Sequence, residues 1–143
     1  MTSRLERFAR LSGTDKWLLL RAVAWLAIAR LMLAGMSFRR LSARLSAAQE
    51  ATRVEPDPEL LASVGRAVAF AAKHVPWRSD CFPQTIAARM LLRGYGLPST
   101  IHFGVQRIGD DELAGHAWLT CGETVVTGGG ELDRYIELHS LSA

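Results

Sequence analysis

Apolar residues recur at helical spacing through the N-terminal third of the chain, which predicts three helices there. The expected helices are 3–12, 15–34 and 38–50. Ser12 or Thr14 is suited to cap the second helix, and Gly35 allows a break after it. We therefore expect residues 1–53 to form a helical N-terminal region that packs or docks.

A different pattern begins after the stretch VEPDPE, residues 54–59, whose two prolines and three acids disfavour any regular element. Helical spacing then returns twice, followed by alternating or β-branched stretches that are typical of strands. The expected helices are 58–74 and one from Ser79 or Asp80 to Gly94–Gly96, and the expected strands are 98–108, 114–120, 124–128 and 134–141. Residues 58–143 therefore predict an α+β unit in which two helices precede a small antiparallel sheet.

The segment 17–35 is long and apolar enough to raise the question of a membrane span. Arg21 and Arg30 interrupt it, and a charge near the centre of a span is costly. We expect a buried or docked amphipathic helix, with contact to a membrane or to a partner as the alternative. The first ten residues show no signal-peptide pattern and the two cysteines form no disulfide framework, so we expect a cytoplasmic protein.

Composition excludes several classes of protein. Of 143 residues, 49% are hydrophobic and 22% are charged, which suits one folded domain and not a disordered tail. The net charge of +3 is mostly arginine, without the interleaved aromatic residues of a nucleic-acid platform. The cysteines and histidines do not lie at zinc-ligand spacing. We therefore expect no metal, no cofactor and no nucleic-acid partner.

Cys81 lies at the start of a predicted helix, in the stretch RSDCFPQTIAARMLLRGYG. A cysteine attacks as its thiolate, and the free N–H groups and positive dipole end of a helix start favour an anion. The same N–H groups can hold an oxyanion. Trp77 and Phe82 are placed to shield such a site from water. The alternative is a partly buried, inert cysteine.

His116 lies in AGHAW, on a predicted strand downstream of Cys81. A cysteine nucleophile and its histidine base are close in space and not in sequence, and this order of elements is compatible with that. An isolated strand histidine is often structural. A cysteine at a helix start together with a histidine on a sheet strand favours a catalytic pair.

Three blocks of the sequence occur in the order of a known family. The stretch VPWRSDCFPQTIAARMLLRGYGLPSTIHFGV, followed by AGHAWLTCGETVV, resembles the transglutaminase-like leader peptidases of lasso-peptide biosynthesis. In that family the peptidase stands alone or forms the C-terminal half of a longer protein. The segment WLLLRAVAWLAIARLMLAG is also similar to the family's leading helices.

This resemblance implies a Cys–His–Asp cysteine protease with a papain/transglutaminase-like fold, Cys81 as nucleophile and His116 as base. The family's acid is expected on the strand after the histidine, at the position of Gly128, where this sequence has no carboxylate. Asp133 is our first choice for the third residue and Glu131 the second. An imidazole held by a backbone carbonyl, with no acid at all, is the alternative.

Three further residues are candidates for the site. Gln84, in the first helical turn, is suited to bind an oxyanion or a peptide, although a solvent-facing role is the alternative. Trp118 follows His116 by two and shares its strand face, either as a shield for the site or as a core residue. Trp77 is assigned to the substrate-binding wall.

The resemblance also implies the protein's substrate and partners. The substrate is a precursor peptide with a leader and a core, recruited by a separate leader-recognition protein. An ATP-dependent macrolactam cyclase then uses the amine that cleavage releases. Two alternatives remain open: a catalytically impaired peptide-binding module, and an acyltransferase that uses the same Cys/His pair.

Overall fold

The computed structural model describes residue 6 and residues 13–45, 57–77, 79–108, 112–129 and 136–142. Four helices and four strands have their bounds within these residues. The helices are α1 (Gly13–Gly35), α2 (Phe38–Leu45), α3 (Pro58–His74) and α4 (Cys81–Gly94), and the strands are β1 (Thr100–Ile108), β2 (Glu112–Cys121), β3 (Thr124–Thr127) and β4 (Ile136–Ser142). The predicted order of elements is confirmed, with shifts of a few residues at their ends.

Local signals set both ends of α3. Asp57 caps its start, because the Asp57 carboxylate accepts a hydrogen bond from the Glu59 backbone N–H at 3.0 Å. Pro58 occupies the first helical turn, where no N–H is needed. Val75 is already extended, as expected for a residue that precedes a proline, Pro76. The predicted helix 58–74 is therefore observed with the same bounds.

One face of α1 docks against α3 and α4. The buried residues of this face are Leu18, Leu19, Ala22, Leu26 and Ala29. The opposite face is also apolar: Trp17 is 62% exposed, Leu20 55% and Leu31 71%. The helix is docked as expected, but it is not amphipathic, because packing and not polarity decides which face is buried.

The length and apolar composition of α1 would allow it to cross a membrane. An 18-residue window has a mean hydropathy of 1.8, and 28% of that window is buried inside the protein. Core helices of soluble proteins share these properties, so the structure is compatible with a soluble protein.

The strands form one antiparallel sheet in the order β3-β2-β1-β4. α4 packs on β2 and β3, and α3 packs on β3. Gly65 permits the second contact, since a Cβ there would lie 2.5 Å from the Val126 carbonyl oxygen. The structure thus has the predicted α+β fold, with the cysteine-bearing helix packed on a small antiparallel sheet.

Some sequence predictions fall outside the described residues. They are the helix 3–12, apart from Glu6, which is helical, residues 46–50 of the third helix and residues 54–56 of the linker. Residues 57–59 of the predicted linker are the cap and first turn of α3. The division into regions 1–53 and 58–143 stays a prediction. The buried core itself is continuous from α1 through α3 and α4 to β1 and β2.

Candidate active site

Cys81 is half-buried and is the first residue of α4. The first hydrogen bond at this helix end runs from the Gln84 N–H to the Asp80 carbonyl at 3.2 Å, and Pro83 has no N–H. The N–H groups of Cys81 and Phe82 therefore have no acceptor inside the helix. The first turn holds no acid, and the Asp80 side chain makes no capping bond. An anion beside the thiol would face the N–H groups of this first turn and the positive helix end.

Two side-chain hydrogen bonds fasten the turn that carries the cysteine. The Thr85 hydroxyl donates to the Cys81 carbonyl at 2.7 Å. The Gln84 amide donates to the Ser79 carbonyl at 2.9 Å, which holds the preceding loop against the helix start. Gln84 is thus engaged in the turn, and its oxyanion or peptide-binding role stays a prediction.

The start of α4 packs against the sheet face that carries Phe103, whereas strand alternation places His116 on the opposite face. The Phe82 ring meets the Phe103 ring edge-on, with centroids 5.1 Å apart. Phe103 pairs across the strands with Ala117, the residue after His116. Within the described part of the chain, no hydrogen bond joins the Cys81 thiol to the His116 imidazole.

The His116 ring is anchored by a backbone group. Its Nε2 lies 2.7 Å from the carbonyl oxygen of Gly128. A carbonyl oxygen only accepts, so Nε2 must carry the proton and donate it. In the neutral ring the lone pair is then on Nδ1. This is the tautomer that a general base needs, with one nitrogen fixed and the other able to take a proton.

Gly128 stands where the resemblance implies an acid, and its surroundings exclude a side chain. Its φ is +73°, a conformation that favours glycine. A Cβ would lie 2.6 Å from the Ala117 carbonyl oxygen and 2.8 Å from Trp118 Cβ. The backbone oxygen therefore takes the place beside His116 that a carboxylate would otherwise occupy.

Thr127, the residue before Gly128, supplies no hydrogen bond to the imidazole. The Thr127 hydroxyl is buried without a hydrogen bond. Asp133 and Glu131 lie outside the described residues, so their assignment stays a prediction. The contact between His116 Nε2 and the Gly128 carbonyl is the one expected for a carbonyl-held imidazole, and the choice between that sequence alternative and an acid stays a prediction.

Two tryptophans flank the candidate pair. Trp118 is buried and its ring stacks on the His116 ring, with centroids 6.0 Å apart, so the two share a strand face as predicted. Trp77 lies four positions before Cys81 in the sequence, is half-buried and packs against the core. Its indole Nε1 is buried and has no hydrogen-bond partner among the described residues. The Ser79 hydroxyl in the same segment is likewise buried without a partner among the described residues.

Sequence reasoning gave no role to His102, which lies on the other side of Trp118. The His102 and Trp118 rings stack with centroids 5.2 Å apart and an interplanar angle of 8°. His102 Nδ1 lies 2.5 Å from a Glu137 carboxylate oxygen, and Nε2 lies 2.8 Å from the Thr120 hydroxyl. Only the pairing of β1 with β2 and β4 reveals this cluster.

Burial shifts the pKa of two groups near the sheet and α4. It raises the pKa of the Cys121 thiol, which keeps that cysteine neutral and unreactive, as expected for an incidental residue. Burial and then the nearby Arg93 charge lower the pKa of the Arg89 guanidinium to about 10.

The described residues contain no group of three or more His, Cys, Asp or Glu that could hold a metal ion.

A groove of about 610 Å³ lies between α1 and α3 and away from Cys81. Leu18, Leu19 and Phe70 contribute apolar surface, and Arg66 and Lys73 contribute positive charge. None of its lining residues belongs to the candidate site.

The sequence profile of the transglutaminase-like superfamily matches residues 23–140, from within α1 to within β4. The chain therefore belongs to the transglutaminase-like superfamily. Members of this superfamily are typically cysteine proteases or acyltransferases. Comparisons with curated proteins and with solved structures find no match.

Proposed function

We propose that this protein is a cysteine endopeptidase that removes the leader from a ribosomally made lasso-peptide precursor. The observation that carries the reaction class is the His116 ring, whose Nε2 donates to the Gly128 carbonyl and whose Nδ1 is left with the lone pair. Superfamily membership and the helix-start position of Cys81 support the same reaction class. The choice of a leader peptide as substrate rests on the sequence resemblance alone.

In the proposed reaction, His116 Nδ1 takes the thiol proton and Cys81 Sγ attacks the carbonyl at the leader–core junction. The Cys81 and Phe82 N–H groups hold the oxyanion, and the buried Trp77 indole N–H, four residues before the thiol, is offered as a further donor. His116 then protonates the leaving amine, and water releases the leader from the thioester. The thiol and Nδ1 must come within hydrogen-bond reach, a contact that often tightens only when substrate binds.

A separate leader-recognition protein is part of this proposal, and α1 is its docking site. Trp17, Leu20 and Leu31 form a continuous exposed apolar face, the kind of surface that a partner covers. Arg30, which is exposed on the same helix, favours a partner with acidic groups beside its apolar contact, whereas Arg21 lies over the Tyr95 ring. We place the reaction in the cytoplasm, where an ATP-dependent macrolactam cyclase consumes the new amine.

Matched variants test this docking site. Leu31→Asp is expected to weaken binding of the recognition protein in a pull-down or titration. Leu113→Asp is the control, because Leu113 is 70% exposed against 71% for Leu31 but lies on β2. Equal binding by the two variants would exclude the α1 face.

Acyl transfer to an amine is the second candidate function, since the superfamily includes acyltransferases and the same Cys/His pair would serve. An impaired peptide-binding module is the third, because Gly128 supplies no carboxylate. Intact Cys81 and His116 weigh against the third.

Mass spectrometry of a precursor peptide incubated with the protein and its recognition partner tests the proposal. We expect cleavage at the leader–core junction, and its loss in Cys81→Ala but not in Cys121→Ala. A leader whose mass corresponds to an amide with an added amine would favour the acyltransferase. A precursor that stays bound and intact with wild type and Cys81→Ala alike would favour the binding module.

A further inference from the structure

Four side chains from three strands form one continuous line on the sheet face that carries His116. Glu137 on β4 bonds His102 on β1, His102 stacks on Trp118, and Trp118 stacks on His116. The interplanar angles are 8° and 21°, so the three rings lie nearly parallel. Trp118 is 7% exposed and therefore has little freedom to leave the stack.

The outer end of this line is held by two hydrogen bonds that survive a change of protonation. His102 Nδ1 donates to the Glu137 carboxylate at 2.5 Å. Nε2 accepts from the Thr120 hydroxyl at 2.8 Å when the ring is neutral, and donates to the same oxygen when the ring is charged. The orientation of the His102 ring is thus fixed in either state.

Carboxylate, imidazole and hydroxyl occur here in the order of a hydrolase triad. Thr120 lies in β2, which pairs with β1 on one side and β3 on the other, with a register shift between Leu119 and Thr120 on the β3 side. The Thr120 hydroxyl lies within the sheet and bonds His102, which suits a support role for the cluster.

We propose that Glu137 and His102 are positioning residues that hold Trp118 against His116, and so keep Nε2 of His116 directed at the Gly128 carbonyl. A carbonyl fixes one ring nitrogen, but the plane of the ring can still rotate about that bond. A stacked indole restricts this rotation. The inference rests on the proposed function, in which His116 is the base.

The substitution Glu137→Gln tests this chain of contacts without threatening the fold, because the Glu137 side chain is 45% exposed. His102→Phe is the companion variant: it keeps an aromatic ring against Trp118 and removes both hydrogen bonds. His74→Phe is the matched control, since His74 also stacks on an aromatic ring, Phe70, and bonds a carbonyl at 2.7 Å, but lies at the end of α3.

Two measurements on these variants need no substrate. The first is the second-order rate of Cys81 alkylation by iodoacetamide, with Cys121 as internal reference. The second is the nitrogen NMR spectrum of the His116 side chain, which reports the fraction of ring protonated at Nε2. We expect Glu137→Gln and His102→Phe to slow Cys81 alkylation by about tenfold, within the range for residues coupled through one network. We also expect both to lower the Nε2–H fraction, whereas His74→Phe changes neither quantity.

The outcomes separate the two proposals. If wild-type Cys81 reacts no faster than Cys121, the proposed catalytic pair is wrong, and the NMR spectra alone decide the positioning role. If Cys81 is reactive but both variants leave its rate and the His116 tautomer unchanged, the positioning role is wrong and the peptidase proposal stands. A purely structural role would alter the melting temperature without moving the tautomer.

Discussion

Replacing Gly128 with alanine perturbs the group that orients His116. The new Cβ would lie 2.6 Å from the Ala117 carbonyl oxygen, 2.8 Å from Trp118 Cβ and 2.9 Å from Trp118 Cα. These atoms belong to β2 and not to the ends of flexible side chains, so the strand or the turn must move. The crowding costs about 1–3 kcal/mol, and the φ of +73° adds about 1–2 kcal/mol for a residue with a Cβ. The sum, about 2–5 kcal/mol, is a large share of a typical domain's stability.

Urea unfolding of Gly128→Ala and Gly122→Ala measures the two contributions separately. Gly122 has a φ of +60°, but a Cβ there would meet nothing within 4 Å. Gly122→Ala should therefore lose only the conformational part, about 1–2 kcal/mol, and Gly128→Ala the crowding in addition. Equal losses of unfolding free energy in the two variants would refute the close approach of Gly128 to β2.

The same displacement should lower the reactivity of Cys81. Moving the Gly128 carbonyl removes the acceptor for His116 Nε2, so we expect slower Cys81 alkylation in Gly128→Ala than in Gly122→Ala. Gly128→Asp, which supplies a carboxylate at the position the family implies, meets the same crowding and should not restore the rate.

Three further predictions concern stability. Burial raises the pKa of the Cys121 thiol, so the thiol ionises first in the unfolded state and the free energy of unfolding should fall as pH rises past about 9. In urea titrations between pH 7 and 10, Cys121→Ala should make this fall less steep. The same dependence on pH in wild type and variant would contradict the prediction. Gly65→Ala should lose about 1–3 kcal/mol of unfolding free energy, because its Cβ would lie 2.5 Å from a β3 carbonyl oxygen. Gly94→Ala is the control, since a Cβ there meets only the movable end of the Arg21 side chain. Equal unfolding free energies for the two variants would argue against the α3–β3 contact. Asp57→Ala should cost about 1 kcal/mol and lower Tm by about 3 °C, and an unchanged Tm would show that the cap is not formed.

The sequence predicted best where signals are local. The bounds of α3 follow from a capping aspartate and from two prolines, Pro58 at its start and Pro76 just after its end. The strands were located within a few residues because alternation and β-branching are local as well. The exposed apolar face of α1 was not predicted, since apolar residues surround this helix and only packing against α3 and α4 selects the buried side.

In the candidate site, too, the features with local sequence signals were predictable and those set by packing were not. The tight hairpin after Cys121 indicates that residues near Gly128 lie across from His116, and they do. The contact with the Gly128 carbonyl depends on the backbone conformation of Gly128, which no motif encodes. His102 was missed because Glu137 is 35 positions away, and because the β1–β4 pairing shifts register between Phe103 and Gly104.

Because a backbone carbonyl holds His116, side-chain mutagenesis would detect this part of the site poorly. An alanine scan removes side chains one at a time. Each alanine variant near Gly128 still has all of its backbone carbonyl oxygens. The orienting carbonyl at Gly128 would therefore survive most of such a scan. Changes that alter the torsion angle at Gly128, such as Gly128→Ala, or a backbone amide-to-ester replacement nearby, would reveal its contribution.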